Sequence, residues 1–548
     1  MKEKVSVSPD GIEYVLPADD DYAREYKKLR TLASKARKNG QEIVVVMGAG
    51  FVGAVMAAIV ADAVGRDGTP SKFVIVMQRP SVRSYWKIPT LNKGLSPVKS
   101  EDPQVDTLIH RCVAEKKTLI ATFTYDVLSL ADVVIVDVQL DYHKNELGNV
   151  RNGHVEMASL EESFEIIARH IGPETLVLIE TTVAPGTTEQ IAFPLMKKIF
   201  RKRGIESDPL LGHSYERVMP GREYVASVRD FWRVCSGVNR TATERVERFL
   251  NEVLNTSKYP LTVLDRPIES ETAKIVENSF RATILAFMDE WSKFAERNGV
   301  DIVKVINAVR VRPTHSNLLF PGPGIGGYCL PKDGGLGIWA YKHILGFQDE
   351  LFKITPLAID INDTRALHAA QFVRDALRNM NVPIAGSEIL VLGASYREDV
   401  GDTRYSGSEI LVRRLTEMGA EIRTHDPYVE QWWEFVNQDH YPQQNRKVFF
   451  HNQKKLRDLR VQKDLTEALS GIDALVFAVR HTCYLDLEPS QVIKTIGKPV
   501  AVIDCFGLLD DRKIKEYLRL GCEVKGLGRG HIQRLKIEIR GGEAGTES

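Results

Sequence analysis

Paired cysteines are absent from this chain of 548 residues. Its six cysteines, at positions 112, 235, 329, 483, 505 and 522, are scattered and show no CxxC spacing. This distribution favours neither a disulfide framework nor a cysteine metal site, and it fits reduced thiols in a cytosol. The first residues are polar and contain no signal-peptide core. We therefore expect a cytoplasmic protein without a bound metal.

Net charge is absent as well. The 73 basic side chains equal the 73 acidic ones, so no overall field draws the chain to nucleic acid or to an anionic membrane. Hydrophobic residues make up 43% and charged residues 27%, which is typical of globular proteins, and no internal repeat interrupts the sequence. The length allows three or four domains, each with its own core.

Long apolar runs are rare, and the one at residues 43–61 is close to the length that spans a bilayer. Within it, a GxGxxG pattern separates a β-branched stretch from an alanine-rich one. This order predicts a strand, a tight turn and a helix, as in dinucleotide-binding folds, rather than a membrane span. Gly48 would make the turn, Gly50 would admit the pyrophosphate and Gly53 would allow close helix packing. The predicted cofactor-binding residues here are Gly48, Gly50, Phe51, Val52 and Gly53.

The acid expected after the second strand of such a fold is missing. The predicted strand 73–77 continues into Gln78-Arg79-Pro80, where an NAD-binding fold has an acid for the ribose hydroxyls. Two interpretations of Arg79 remain open, because it either meets the 2′-phosphate of NADP or is simply solvated. NAD is the expected cofactor, with NADP as the alternative.

Strand and helix patterns alternate along most of the chain, with a helical region between two such series. This predicts an α/β fold of two Rossmann-like, doubly wound domains joined by a mainly helical middle domain. The predicted divisions are an N-terminal extension (1–40), a dinucleotide-binding domain (41–212), a helical middle domain for dimerisation (213–384), a C-terminal Rossmann-like domain (385–535) and a tail (536–548). We also predict helices at 21–38, 159–170, 270–299, 355–380 and 409–418, and a surface insertion at 432–460.

One thiol stands in a glycine-rich segment, Phe320-Pro-Gly-Pro-Gly-Ile-Gly-Gly-Tyr-Cys-Leu-Pro-Lys-Asp333. Lys332 would favour the thiolate of Cys329, and Asp333 would exchange a proton, as at a catalytic nucleophile. The alternative is that Cys329 is a small buried hydrophobe in a turn. Lys274 and Asn278 precede the segment, one helical turn apart, and on most surface helices such a pair is solvated.

Hydroxyl groups follow the predicted strand 176–180, in the segment Glu180-Thr-Thr-Val-Ala-Pro-Gly-Thr-Thr188. Thr182 and its neighbours fit a cofactor-side loop at the carboxyl edge of the sheet. A turn capped by threonine before a helix explains the same composition.

Six motifs occur in an order that resembles the UDP-glucose/GDP-mannose dehydrogenase family over residues 41–530. They are the GxGxxG, residues 180–188, Ser-Tyr-Glu-Arg-Val-Met-Pro-Gly (214–221), Lys274 with Asn278, residues 321–333, and Gly-Ala-Ser-Tyr-Arg with Gly-Asp-Thr-Arg (393–404). Glu216-Arg217 followed by Pro220-Gly221 is more similar to the branch that oxidises UDP-N-acetylhexosamines than to the UDP-glucose branch. The chain departs from the family where Gln139-Leu140 replaces a Thr-Pro and Arg397 replaces a lysine.

The resemblance implies an NAD-dependent UDP-sugar 6-dehydrogenase that forms a uronate for polysaccharide biosynthesis. Two hydride transfers to NAD would pass through a thiohemiacetal and a thioester on Cys329. The C-terminal domain would bind UDP, and the chain would form a homodimer or a higher homo-oligomer. The implied catalytic residues are Cys329, Lys274, Asn278, Asp333 and Glu216. The implied cofactor-binding residues outside the glycine turn are Thr182, Lys332 and Arg404. The implied substrate-binding residues are Arg217, Lys274, Asn278, Gly326, Gly327 and Arg397.

Two other functions remain open on the sequence alone. The first is a two-electron dehydrogenase in which Cys329 is structural. The second is a catalytically inactive nucleotide-sugar-binding protein, which the missing acid after Met77 would favour.

Overall fold

The computed structural model describes residues 4–436 and 449–544. Residues 437–448 of the predicted insertion and residues 545–548 of the predicted tail lie outside this part. The chain contains two compact units. The first unit comprises Met1–Asp141, Val155–Ile275 and Trp339–Gln348, and the second unit comprises Tyr142–His154, Val276–Ile338 and Asp349–Ser548. The domain boundaries named above remain a prediction.

Strands occur in both units. In chain order they are β1 (Val5–Val7), β2 (Glu13–Val15), β3 (Glu42–Met47), β4 (Lys72–Met77), β5 (Leu119–Thr122), β6 (Val133–Val136), β7 (Tyr142–Lys144), β8 (Gly153–Val155), β9 (Leu176–Ile179), β10 (Leu210–His213), β11 (Val234–Gly237), β12 (Thr262–Val263), β13 (Glu388–Leu392), β14 (Glu421–His425), β15 (Val461–Gln462), β16 (Ala474–Phe477), β17 (Ala501–Asp504) and β18 (Glu523–Gly526).

Helices separate most of the strands. In chain order they are α1 (Asp19–Lys38), α2 (Phe51–Asp62), α3 (Lys87–Asn92), α4 (Pro103–His110), α5 (Ala158–His170), α6 (Phe193–Lys202), α7 (Tyr224–Arg229), α8 (Arg240–Val253), α9 (Pro267–Arg297), α10 (Ile302–Arg310), α11 (Leu330–His343), α12 (Ile354–Asn379), α13 (Gly407–Glu417), α14 (Trp433–Val436), α15 (Leu465–Leu469), α16 (Thr482–Leu485), α17 (Pro489–Ile496), α18 (Asp511–Arg519) and α19 (Ile532–Ala544).

The first unit is built on an eight-stranded sheet in the order β12-β11-β10-β9-β6-β3-β4-β5. Its six strands from β10 to β5 are parallel and follow the doubly wound order 3-2-1-4-5-6 counted from β3. Five of the six residues of β3 are buried, because helices cover both faces of a parallel sheet. The apolar run 43–61 thus forms β3, a turn and α2. Within the described part of the chain, no helix is both long and apolar enough to cross a membrane.

The second unit contains a six-stranded parallel sheet in the order β15-β14-β13-β16-β17-β18. Counted from β13, this is again the order 3-2-1-4-5-6. Helix α12 packs on this sheet through buried alanines and Val373, which allow close approach to β17 and β18. The predicted fold class, two Rossmann-like domains and a helical region between them, is confirmed.

Long helices occupy the region between the two sheets in the sequence. Helix α9 has 31 residues and α12 has 26, close to the predicted ranges 270–299 and 355–380. The predicted helix of the N-terminal extension is α1, which the hairpin of β1 and β2 precedes. Helix α1 belongs to the first unit, where its Arg37 forms an ion pair with Asp132 at 2.8 Å.

Candidate active site

The glycine turn of the first unit leaves open space at Gly50. Gly48 has φ +119°, and a Cβ there would lie 2.7 Å from the carbonyl oxygen of Asp137. A Cβ on Gly53 would lie 2.1 Å from the carbonyl oxygen of Gly48, so α2 packs directly against the turn. Gly50 differs, because a Cβ there would meet no atom within 4 Å. Two glycines therefore serve close packing, and the third leaves room for a ligand.

This open space suits a pyrophosphate. Gly50 is the residue before α2, and the first N–H groups of a helix have no partner inside the helix. Those groups and the positive end of the helix dipole bind phosphate oxygens. The turn therefore fits a dinucleotide held by Gly48, Gly50, Phe51, Val52 and Gly53, which when bound would supply a hydride acceptor.

Buried beside this turn are three carboxyl groups, those of Asp137, Glu180 and Glu216, and the guanidinium of Arg233. Asp137 directly follows β6, Glu180 directly follows β9, and Arg233 forms an ion pair with Glu180. Burial, reinforced by Glu180 and Glu216, raises the pKa of Asp137 well above its usual range. Burial also raises the pKa of Glu180, although Arg233 opposes this. Burial thus favours the neutral form of Asp137, whereas Glu180 has Arg233 as a partner for its charge.

Lys274 and Glu216 meet inside the first unit. The Lys274 ammonium donates to the carbonyl oxygen of Glu216 at 2.8 Å and lies 3.8 Å from its carboxylate. It also lies 5.2 Å from the centre of the Tyr215 ring, and both Lys274 and Glu216 are buried. Arg217 stacks on the same ring at 5.4 Å. Three of the predicted site residues thus gather around Tyr215, which the sequence analysis did not single out.

The segment that contains Thr182 is anchored by Glu271, a residue that the sequence analysis missed. The Glu271 carboxylate accepts hydrogen bonds from the Gly186 N–H at 2.6 Å and from the Thr188 N–H at 2.8 Å. Gly186 has φ +93°, which favours glycine. Burial raises the pKa of Glu271 to about 7. The sequence did contain one indication of its role, because Glu271 lies one helical turn before the predicted site residue Lys274.

We expect the Glu271→Gln variant to have a flatter dependence of stability on pH than the wild type. The pKa of Glu271 rises on folding from 4.5 to about 7, so its protonated form stabilises the fold. That contribution is complete below pH 4.5 and is lost as the pH rises to about 7. Urea denaturation at a series of pH values in this window measures the difference. The Glu174→Gln variant, at an exposed position of the same unit, is the control, and parallel profiles for all three proteins would contradict the prediction.

Cys329 lies directly before α11 in the second unit. Helix α11 begins at Leu330, so Lys332 and Asp333 belong to its first turn rather than to the glycine-rich loop. The Cys329 carbonyl accepts from the N–H groups of Lys332 at 3.1 Å and Asp333 at 3.0 Å. The side chain of Cys329 is half-buried. A thiol at a helix N-terminus is stabilised as thiolate by the helix dipole.

A buried hydrogen-bond network surrounds Asp333. Its carboxylate accepts from the Asn278 side-chain amide at 2.6 Å and from the Lys332 ammonium at 2.9 Å. Lys332 and Asp333 are only 1% and 0% exposed, and the ring of Tyr328 lies 4.7 Å from the ammonium. The cation that the sequence analysis assigned to Cys329 is therefore paired with Asp333. The structure brings Asn278, Lys332 and Asp333 together, and their roles in a site remain a prediction.

The glycines before Cys329 pack against the loop that follows β13. Gly326 and Gly327 have φ +56° and +78°, and a Cβ on Gly326 would lie 2.5 Å from the Cβ of Tyr396. The Gly327 N–H donates to the Arg404 carbonyl at 2.9 Å, and the Arg404 guanidinium lies 5.4 Å from the Tyr328 ring. These glycines thus permit the close approach of a protein side chain. Their binding of substrate remains a prediction.

The two predicted arginines of this loop differ in their partners. The Arg404 guanidinium binds the Asp402 carboxylate through Nε and Nη2, at 2.8 and 2.6 Å. The Nε of Arg397 is buried and has no hydrogen-bond partner among the described residues. Arg397 is therefore the better placed of the two to take up an anion.

A buried ion pair between α9 and α12 holds the glycine-rich segment 320–333 at Gly322. Arg365 of α12 pairs with Asp289 of α9, and its Nε donates to the Gly322 carbonyl at 3.3 Å. Both side chains are at most 4% exposed. The sequence analysis missed this pair, because nothing local marks two residues on separate helices as partners.

Metal binding was not predicted, and one group of possible ligands exists among the described residues. Asp301, Asp511 and His531 lie within 4.8 Å of one another. Lys304 pairs with Asp511 at 2.5 Å, and Arg529 lies 3.4 Å from Asp301. These cations already balance the carboxylates, so the group does not require a metal ion.

Three family models match the chain in succession. Residues 42–255 match the NAD binding domain of the UDP-glucose/GDP-mannose dehydrogenase family, residues 268–364 match its central domain, and residues 390–511 match its UDP binding domain. The matched ranges contain all six sequence motifs.

Curated relatives cover most of the chain. A UDP-N-acetyl-D-mannosamine dehydrogenase from Pyrococcus horikoshii is 25% identical over 493 residues, which are 89% of this chain and 100% of the relative. A UDP-glucose 6-dehydrogenase from Bacillus subtilis is 26% identical over 345 residues, 62% of this chain and 72% of the relative.

Solved structures share the fold. The NDP-N-acetyl-D-galactosaminuronic acid dehydrogenase from Methanosarcina mazei has a TM-score of 0.70 at 25% identity and covers 91% of this chain and 98% of its own. The UDP-D-ManNAc dehydrogenase from Pyrococcus horikoshii has a TM-score of 0.71 at 24% identity, with 89% and 100% covered. With the glycine turn and the Cys329 network described above, these matches show that the chain belongs to the UDP-glucose/GDP-mannose dehydrogenase family and uses NAD as cofactor.

Proposed function

We propose that the protein oxidises the C6 alcohol of a UDP-sugar to the carboxylate in two NAD-dependent steps, with Cys329 as the covalent catalyst. The observation that carries this proposal is the position of Cys329, which is half-buried directly before α11, the helix whose first turn contributes Lys332 and Asp333 to the buried network with Asn278. A nucleophile needs a stabilised thiolate and a nearby proton acceptor, and this arrangement offers both.

In the first step the chain removes a proton from the alcohol. Asp333 accepts this proton through a water molecule, because its carboxylate is oriented by hydrogen bonds from Lys332 and Asn278. Lys274 and Asn278 stabilise the negative charge that develops on the oxygen. The glycine turn would hold one NAD⁺ at a time, and a bound NAD⁺ would supply the acceptor for one hydride, so that the next step would need a second NAD⁺.

In the second step Cys329 holds the aldehyde. Its thiolate adds to the carbonyl carbon and forms a thiohemiacetal, whose oxidation leaves a thioester on the sulfur. Water, activated by Asp333 or Glu216, attacks the thioester carbon and releases the thiolate. In sum, one alcohol, two NAD⁺ and one water become one carboxylate, two NADH and three protons.

The UDP moiety is assigned to the C-terminal sheet of the second unit. Residues 393–404 follow β13 at the carboxyl edge of a doubly wound sheet, where such folds bind nucleotides. Arg397 is the proposed ligand of the diphosphate, since its guanidinium has a buried donor without a partner in the described structure. The proposed cofactor-binding residues outside the glycine turn are Thr182, Lys332 and Arg404. The proposed substrate-binding glycines are Gly326 and Gly327.

The proposed substrate is a UDP-N-acetylhexosamine rather than UDP-glucose. Glu216-Arg217 followed by Pro220-Gly221 resembles this branch, and the Arg217 guanidinium stacks on Tyr215 beside Lys274. The curated relative from Pyrococcus horikoshii and the solved structure from Methanosarcina mazei carry the names of dehydrogenases of N-acetylated sugars. The product would be a nucleotide-linked uronate of the kind used in polysaccharide biosynthesis.

A substrate panel tests this proposal. UDP-glucose, UDP-GlcNAc, UDP-GalNAc, UDP-ManNAc and GDP-mannose are each incubated with NAD⁺, and NADH and the uronate are quantified. We expect two NADH for each N-acetylhexosamine consumed and little turnover of GDP-mannose. One NADH per sugar would overturn the four-electron mechanism, and a preference for UDP-glucose would overturn the choice of substrate.

We also propose that the protein is a homodimer that pairs through α9. Five large apolar side chains on the part of α9 in the second unit are 44–58% exposed; they are Val276, Phe280, Phe287, Trp291 and Phe294. At 100° per residue they fall within an arc of about 60°, along about 27 Å of helix. A soluble monomer rarely exposes such a stripe, and a second copy offers the same surface for isologous pairing.

The Phe287→Asp variant is therefore expected to be monomeric where the wild type is dimeric. A charge at the centre of the stripe would be desolvated by pairing, at a cost of several kcal/mol. Light scattering coupled to size exclusion measures the mass. The Arg281→Glu variant, which changes charge about 120° around the helix, is expected to remain dimeric. Equal masses for Phe287→Asp and the wild type would contradict the proposed interface.

A further inference from the structure

The adenosine end of the dinucleotide site carries positive charge where NAD-specific folds have a carboxylate. Strand β4 ends at Met77, and the next six residues, from Gln78 to Arg83, include two arginines and no acid. An acid here accepts hydrogen bonds from the ribose hydroxyls of NAD and repels a 2′-phosphate, whereas an arginine accommodates that phosphate. With two arginines and no acid, the segment from Gln78 to Arg83 therefore has the charge that accommodates a 2′-phosphate.

Gln78 occupies the position of the missing acid. Its Oε1 accepts from the Ala49 N–H of the glycine turn at 2.9 Å, and its Nε2 lies 3.3 Å from the hydroxyl of Ser84. The amide thus ties the end of β4 to the phosphate-binding turn without adding negative charge. A 2′-phosphate beside Gln78 would meet a hydrogen-bond donor in place of the carboxylate that repels it in NAD-specific folds.

Arg79, the next residue, presents its guanidinium to solvent. Its side chain is 66% exposed and makes an ion pair at 3.4 Å with Glu162, which is itself 55% exposed. An exposed pair of this length is weak, so a doubly charged phosphate can displace Glu162. Guanidinium binds phosphate oxygens in a bidentate manner, which adds direction to the attraction.

The loop that carries Arg79 is ordered by contacts of its own and by the N-terminal extension. The hydroxyls of Ser81 and Ser84 lie 2.8 Å apart, and the Ser84 hydroxyl donates to the Arg79 carbonyl at 3.0 Å. From the extension, the Ser6 hydroxyl accepts from the Trp86 N–H at 3.2 Å. Because these bonds hold the loop before a ligand arrives, binding requires little further ordering.

We propose that this site accepts NADP as well as NAD, with Arg79 as the specificity-determining residue that binds the 2′-phosphate and Gln78 as the neutral neighbour that permits it. The inference rests on the dinucleotide site of the proposed function and extends its range of cofactors. It assigns no part in sugar oxidation to either residue.

Equilibrium binding to the full chain tests the inference without turnover. NADH and NADPH are titrated while nicotinamide fluorescence is followed, and 2′,5′-ADP and 5′-AMP are compared as competitors. We expect the Kd of NADPH to lie within about tenfold of that of NADH and 2′,5′-ADP to compete at lower concentration than 5′-AMP. An NADPH affinity weaker than this limit, or stronger competition by 5′-AMP, would overturn it.

Variants identify the residues responsible. Arg79→Ala is expected to weaken NADPH about tenfold and NADH less than about twofold, and Gln78→Asp to weaken NADPH about 100-fold while NADH still binds. Glu162→Gln, which removes the competing carboxylate, should tighten NADPH by about twofold or more. Arg240→Ala, at an exposed site on α8, is the control and should change neither.

The outcomes separate this inference from the proposed function. Equal losses of NADH and NADPH affinity in Arg79→Ala would overturn the role of Arg79, and failure of the wild type to bind either dinucleotide would remove the site itself. Tight NADPH binding in a protein that oxidises no UDP-sugar would support this inference and refute only the proposed function.

Discussion

Replacing Cys329 with serine is expected to lower the rate of uronate formation by about 10³-fold or more. A serine hydroxyl is a much weaker nucleophile than a thiolate and stays protonated at neutral pH. It therefore cannot trap the aldehyde, and without sulfur no thioester can form. The first oxidation does not need the thiol, and a single turnover should therefore yield at most one NADH per sugar, with no acid. Rapid-quench analysis of the sugar products, together with NADH absorbance, measures both quantities.

The other cysteines provide controls for this experiment. Burial raises the pKa of Cys112 and Cys235 to about 12 and that of Cys522 to about 11. Burial also raises the pKa of the Cys505 thiol. Cys483→Ser, at an exposed site in the second unit, should leave uronate formation unchanged. Unchanged acid production by Cys329→Ser would instead favour a two-electron dehydrogenase with a structural cysteine.

The Gly50→Ala variant is expected to lose NADH affinity, whereas the Gly53→Ala variant is expected to lose stability. At Gly50, which has φ −90° and no neighbour within 4 Å of an added Cβ, alanine should leave the melting temperature unchanged. The added methyl group fills the space of the pyrophosphate, so NADH affinity should fall by about tenfold or more. At Gly53 the added Cβ would lie 2.1 Å from the Gly48 carbonyl, which forces α2 away from the turn. Gly53→Ala should therefore lose about 1–3 kcal/mol of stability.

Thermal denaturation and NADH fluorescence titration distinguish the two effects. Gly172→Ala is a suitable control, since an added Cβ there meets only the Thr175 hydroxyl at 3.9 Å and lies in a loop of the same unit. If Gly50→Ala bound NADH normally, the pyrophosphate would have to lie elsewhere. If Gly53→Ala were as stable as the wild type, the close packing of α2 on the turn would not be needed.

Local sequence patterns were enough to predict the elements of the fold. The β-branched run before Gly48 and the alanine-rich run after Gly53 form β3 and α2, and the predicted helix 355–380 is α12 with small shifts at its ends. These elements depend on periodicity and on glycine, which act within a few residues. The ordered motifs likewise identified the family, because each is contiguous in the chain.

Contacts between distant segments could not be predicted in this way. Glu271 caps Gly186 across 85 residues, and Arg365 supports Gly322 across 43. Tyr396 packs closely against Gly326, although 70 residues separate the two in the chain. In each case the partner is chosen by the packing of helices and strands and leaves no mark beside the residue.

The sequence by itself thus determined that the chain has two doubly wound sheets, a dinucleotide turn and a cysteine presented by glycines, because short-range sterics and hydrophobic periodicity specify those features. Only the tertiary structure decided which charges meet. It buries Asp137 against Glu180 behind the glycine turn and pairs Lys332 with Asp333. Burial and proximity shift the protonation of such groups, and both arise only when strands and helices far apart in the chain pack together.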